Sequence, residues 1–241
     1  MTITSGIDVY SEHGDAYDYN DKHGNSTWTG KYLVITSVET HVDGIKITTE
    51  NQHGFIVGQS VSVVETTSYN NTKDVVSVVD YYNFTLAITY VSDESSGYVG
   101  TEANIKANEV ALRKATEWID QHPNHKGRWR GSITETSQLL SHPRSGLYDE
   151  EGRVIASNEI ALEVINSCIE MANKVIADTE TLFPDISAGA ANLKKKKIDV
   201  IEREWFHPSQ SSQRKTYDYV NNLLSGLLFS NSGVMSIQRT Y

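Results

Sequence analysis

The chain has 241 residues, 38% of them hydrophobic and 22% charged, with acids exceeding bases to a net charge of −10. That length supports one large domain or two small ones with a self-sufficient core. The acid excess excludes simple adhesion to nucleic acid through phosphate neutralisation, and the single cysteine, Cys168, excludes an intrachain disulfide and a cysteine-based zinc site.

The opening Met1–Gly6 stretch is polar and lacks a basic-then-apolar signal, and no apolar run approaches the roughly 20 residues that span a bilayer, so synthesis in the cytoplasm is expected. Residues 7–28 read as a short helix and turn: Val9, Tyr10, Ala16 and Tyr17 give an apolar face, Gly24-Asn25 stops it, and Trp28 follows as a packing anchor. From about Tyr32 to Gly100 the period changes to two. Leu33-Ile35, Val38-Thr40-Val42, Ile45-Ile47, Val61-Val63, Val76-Val78 and Phe84-Leu86-Ile88 alternate, separated by turn residues of which Asp43-Gly44 is the strongest hairpin signal. This predicts a small all-β barrel or sandwich of about five to seven strands. It is acidic, with Glu39, Asp43, Glu50, Glu65, Asp74, Asp80, Asp93 and Glu94 against Lys31, Lys46 and Lys73.

Helical spacing resumes at Thr101: Ile105, Ala111, Leu112, Ala115, Trp118 and Ile119 share a face, and Pro123 ends the helix. After the loops that hold Arg128–Gly131, His142–Gly146 and Asp149–Gly152 comes a long amphipathic helix. Its apolar face is Ile160, Val164, Ile165, Cys168, Ile169, Ala172, Val175 and Ile176, and Ser157 is placed to cap it. Residues 186–193 read as a loop, 195–206 as an extended segment, and Tyr217, Val220, Leu223, Leu224, Leu227 and Leu228 as a last helix before a short tail. The fold class expected is therefore a mainly α-helical domain, a helix bundle with a short extended segment, carrying an inserted small all-β module. The helical domain is discontinuous, 1–30 and 101–241, and the β module occupies 31–100.

Few residues suggest chemistry. His122 and His125 flank Pro123 without a third ligand at motif spacing, so no metal is expected. No nucleophile elbow, phosphate-binding loop or dinucleotide fingerprint is present, and neither catalysis nor a cofactor is expected. Arg128-Trp129-Arg130 has the composition of a nucleic-acid stacking loop, and equally that of a packed or interface anchor, which the net acidity favours. Lys194-Lys195-Lys196-Lys197 reads as a solvated strand edge or as a contact for phosphate or an acidic partner. Trp205, Phe206, Ile237 and Tyr241 join the Arg128–Arg130 loop as interface candidates.

Ala111-Leu112-Arg113-Lys114-Ala115-Thr116-Glu117-Trp118-Ile119-Asp120, then Arg128–Gly131, then Leu139–Asp149 with its His142-Pro143-Arg144-Ser145-Gly146 turn, resemble a family of tailed-phage proteins. Its members are often labelled DnaT-like single-stranded-DNA-binding proteins, and in architecture they look like the head-to-tail adaptor of the virion neck. Asp15-Ala16-Tyr17, Gly24-Asn25 and Trp28 match the family's opening, and Lys197 to Phe206 with Tyr217 to Leu228 match its ending. His142 departs from the family, which usually carries a tryptophan before Pro-Arg, and the β module is absent from its short members. Separately, Gly54 to Leu86 resembles small β modules that decorate phage structural proteins.

The resemblance implies a structural virion protein at the head–tail junction, made in the host cytoplasm. It would form a homo-oligomeric, dodecameric ring between the portal protein and a tail or tail-nozzle protein, passing double-stranded DNA without tight binding. The alternatives are a single-stranded-DNA-binding accessory protein, with Arg128–Arg130 and Lys194–Lys197 in one basic groove, or another tail or baseplate component.

Overall fold

The computed structural model describes residues 9–25, 32–149, 151–178, 195–198, 201–204 and 217–229. Six strands come early: β1 Leu33–His41, β2 Gly44–Thr49, β3 Ser60–Val64, β4 Asn71–Val78, β5 Asn83–Leu86 and β6 Tyr98–Thr101. They close into a barrel in the order β1-β2-β5-β4-β3-β6, every neighbour antiparallel. Alternation turns Ile45 and Ile47 of β2 inward, where they meet Ile35, Val38, Val61, Val63, Val75, Phe84, Leu86 and Val99. Irregular pairing at Ile35–Ser37 and Val75–Ser77 bends β1 and β4, as closure of a small barrel requires. Gly44 sits at φ +131°, and a Cβ there would lie 2.4 Å from the Leu86 carbonyl oxygen, so the β1–β2 turn admits only glycine.

Four α-helices are found among the described residues: α1 His13–Lys22, α2 Glu102–Gln121, α3 Leu162–Asp178 and α4 Asp218–Leu224, the last continuing into a 3-10 turn at Ser225–Leu227. The Thr101 hydroxyl caps α2 by accepting from Asn104 N at 3.3 Å. Helices α2 and α3 pack face to face through Leu112, Ala115, Trp118 and Ile119 against Val164, Cys168, Ile169 and Ala172, all buried. The Cys168 thiol lies 3.4 Å from the Thr116 hydroxyl, and burial pushes it up to about 12, so it is a core side chain rather than a nucleophile. With ten residues α1 is too short to hold alone, and burial of Tyr10, Ala16 and Tyr19 in the same cluster is what keeps it formed. The barrel also holds it. Glu65, at φ +57°, places its carboxylate at the α1 N-terminus, where Gly14 N donates to both oxygens at 2.9 and 3.0 Å.

This architecture corrects the expectation of a mainly α-helical domain: a closed six-stranded barrel is its largest sheet element and the helices are few. The helical estimate failed in two places. Ser157 does not cap α3; it lies in a turn, where its carbonyl accepts from the Thr134 hydroxyl at 2.8 Å, and the helix starts at Leu162. The last helix turns 3-10 after Leu224, and Leu228 is extended beside Trp129. The stretch between α2 and α3 is irregular, with only two residues in each of β7 Ser132–Ile133 and β8 Arg144–Ser145. Two further strands, β9 Lys195–Ile198 and β10 Ile201–Glu204, pair as an antiparallel ribbon.

Candidate functional site at the Arg128–Arg130 loop

The loop is built by its neighbours in the chain and by the end of the 3-10 turn. Arg130 N donates to the Leu227 carbonyl at 2.9 Å and Phe229 N to the Arg128 carbonyl at 2.8 Å, so residues 128–130 and 227–229 lie side by side. This pairing fixes where each side chain goes. Trp129 turns inward, 5% exposed, to meet the edge of His142 at 4.5 Å between ring centres and His125 at 5.9 Å. The Arg128 guanidinium donates to the Asn124 carbonyl at 2.9 Å and to the Phe229 carbonyl. Arg130 is exposed and borders a depression of about 240 Å³ together with Tyr148, Glu163 and Leu227.

A second arginine completes the structure. Arg144 donates to the carbonyls of Arg130 at 2.7 Å, Gly131 at 2.8 Å and Ser141 at 3.2 Å, stapling two loops that have almost no ladder of their own. Gly131, at φ +67°, lets Ser145 approach; a Cβ there would lie 2.4 Å from its carbonyl oxygen. Beneath the loops a polar network is buried. Asp120 accepts from the Tyr10 hydroxyl and from Ser141 N at 3.1 Å, and burial raises the Asp120 carboxyl above its ordinary value. His125 Nδ1 lies 3.0 Å from the Ile119 carbonyl and Nε2 2.9 Å from the Asn221 side-chain oxygen, so both ring nitrogens face an acceptor. His142 is 2% exposed with neither ring nitrogen bonded; burial, then the Arg144 charge, lowers it to about 3, so it is neutral.

These contacts bear on the two readings of the Arg-Trp-Arg motif. A base-stacking loop needs its aromatic ring open to solvent, and here the indole is inside. Arg128, Trp129 and Arg130 thus come together with Arg144 and His142 as a packed corner that leaves only Arg130 free to meet a partner. The network of Tyr10, Asp120 and Arg144 escapes sequence reasoning, because its members are spread from the segment before α1 to the loop before α3. In the lysine block, register sets Lys195 opposite Glu204, Lys196 opposite Arg203 and Lys197 opposite Glu202. Lys194, Trp205, Phe206, Ile237 and Tyr241 lie outside the described residues, as does Trp28.

A second cleft, of about 400 Å³, runs between α1, the barrel and α2, with His13, Glu65, Glu109 and Arg113 along it. Its signs are mixed, and burial lowers His13 despite Glu109 at 3.8 Å. Among the described residues no group of three His, Cys, Asp or Glu side chains is placed to hold a metal ion, and no helix is long and apolar enough to cross a membrane.

No curated protein and no solved structure matches the chain. A family model described as "Putative DnaT-like ssDNA binding protein" matches residues 64–240, from the end of β3 through both packed helices and beyond the Arg128–Arg130 corner. That match takes in well over half of the sequence, and the chain belongs to this DnaT-like family.

Proposed function

We propose that this protein is a non-enzymatic structural subunit, a head-to-tail adaptor of a tailed-phage neck that assembles as a homo-oligomeric ring between portal and tail. The observation that carries this reading over its rival is the fate of the basic aromatic loop. Trp129 is buried and Arg128 and Arg144 are committed to backbone carbonyls, so the motif with the best composition for gripping a single strand serves to shape the subunit. The net charge of −10 agrees with it, because an acidic ring lets a duplex slide past without phosphate contacts to hold it. The resemblance of residues 111–149 to neck adaptors supplies the position in the virion, the portal and tail partners and passing double-stranded DNA.

The second reading is a single-stranded-DNA-binding accessory protein, and the family description speaks for it directly, as no comparison does for the neck. It would place the strand along Arg130 and the lysines of β9 rather than on Trp129. Two measurements on the full chain separate the readings. Anisotropy of a labelled single-stranded oligonucleotide should stay flat at physiological salt, and mass photometry with purified portal should show a ring-sized complex. Tight oligonucleotide binding with a steep salt dependence, and no complex with portal, would give the chain to the second reading.

A further inference from the structure

Strands β9 and β10 pair with each other and with no third strand among the described residues, so each keeps an open edge. The barrel, being closed, has none. Two strands of four residues are too little to hold on their own in water. The register adds a cost, because Lys196 stands opposite Arg203. Along each open edge alternate residues turn N–H and C=O away from the ribbon, a template for a further strand.

Charge sets which strand can pair there. β9 reads Lys-Lys-Lys-Ile and β10 reads Ile-Glu-Arg-Glu. The register places Lys195 opposite Glu204 and Lys197 opposite Glu202, and alternation puts these four positions on one face, a lysine column beside a glutamate column. A two-fold contact would pair β9 with β9 or β10 with β10, setting lysine against lysine or glutamate against glutamate. A head-to-tail contact pairs β10 of one copy with β9 of the next, and the columns then alternate in sign across the seam. Strand direction agrees. Because β9 and β10 are antiparallel, a neighbour related by rotation about an axis along the strands presents its β9 antiparallel to β10.

We infer, on the footing of the ring proposed above, that the β9 edge of one copy adds to the β10 edge of the next and joins the ribbons into one sheet. Main-chain bonds supply the affinity, and the alternating charges select head-to-tail over two-fold pairing. The same rotation repeated from copy to copy closes the sheet on itself and leaves no free edge. The lysine block thus meets an acidic partner in the glutamates of β10 on a neighbouring copy.

The test is sedimentation velocity of the full chain over a concentration series at low and high salt. Beside it run two charge variants, Lys195→Glu with Lys197→Glu and Glu202→Lys with Glu204→Lys. The parent is expected to form closed oligomers that salt weakens. Each variant alone should associate about tenfold or more weakly, because repulsion replaces attraction at both cross-strand pairs of the seam. Mixed in equal amounts they should associate again, since each meets opposite charge on its neighbour though not within its own ribbon. A role confined to one chain would not give that recovery. A mixture as weak as its parts overturns the inference, and so does a parent that stays monomeric or one whose association neither variant lowers. In the last case a ring stands on another surface and the neck reading survives, whereas a chain that forms the seam but no complex with portal fails the neck reading alone. Melting curves check each variant. If Lys195→Glu with Lys197→Glu does not fold, Lys195→Gln with Lys197→Gln takes its place; weakened association is expected, and undiminished association overturns the inference.

Discussion

Replacement of His142 by phenylalanine should stabilise the protein, and more so in acid. The imidazole is 2% exposed, lies edge-on to Trp129 and Tyr10, and leaves both ring nitrogens without a partner. An unbonded buried polar group costs about 1–3 kcal/mol, while the extra ring atom of phenylalanine returns up to about 1 kcal/mol as crowding. A net gain of about 1 kcal/mol at neutral pH follows. The pH dependence has a definite sign. Burial lowers His142 from 6.5 to about 3 in the folded state, so between those values the unfolded chain binds a proton that the native one refuses. The parent therefore has its full stability above pH 6.5 and loses it as pH falls toward 3, by about 1.4 kcal/mol per unit, or about 2 kcal/mol between pH 8 and pH 5. The variant lacks this loss, so its advantage should widen to about 3 kcal/mol at pH 5. His13 and His125, also lowered, act in the same sense, and Asp120, raised, in the opposite sense; all three remain in both proteins and drop out of the difference. Urea denaturation of parent and variant at pH 8, 7, 6 and 5 reads it. A gap that stays constant or narrows in acid would refute the reasoning, because it would mean that His142 has a partner for its charged form.

Glu65→Ala should lower stability by about 1–2 kcal/mol, since it removes the anion from the α1 N-terminus, with the loss seen in melting curves and in faster amide exchange of Gly14. Gly44→Ala should cost more than about 2 kcal/mol, because strain at φ +131° and the clash with Leu86 fall on one residue; a stability within error of the parent would refute the turn geometry. Replacing residues 31–100 by a short Gly-Ser linker should leave a cooperatively melting helical protein of lowered stability, since the barrel core is a cluster of its own but Tyr32, Val64, Glu65 and Tyr98 reach from this span to the helices. Lost helicity in far-UV circular dichroism would show instead that the barrel is part of one cooperative unit.

The barrel strands were readable because inward and outward residues alternate over them, as in Ile45-Lys46-Ile47. Closure was not readable: it depends on β1 meeting β6, Leu33 opposite Val99, and no local pattern encodes that pairing. The two packed helices were legible from their apolar faces, but Ile160 and Ala161 bury before the helix begins, so periodicity overran its true start at Leu162. The Arg128–Arg130 corner was legible in composition and ambiguous in use. Which way Trp129 points is decided by pairing with Leu228, about a hundred residues on.

The pairing of Tyr10 with Thr116 and Asp120 has a consequence for birth on the ribosome. Tyr10 N donates to the Thr116 hydroxyl at 3.1 Å, and the Tyr10 hydroxyl to Asp120, so the segment before α1 needs partners made about a hundred residues later. All six barrel strands, by contrast, lie within residues 33–101 and can close once Thr101 has left the exit tunnel. Helix α1 then waits beside a finished barrel, held at its end by Tyr32, whose hydroxyl meets His13 Nδ1 at 2.6 Å, and by Glu65, until α2 is translated.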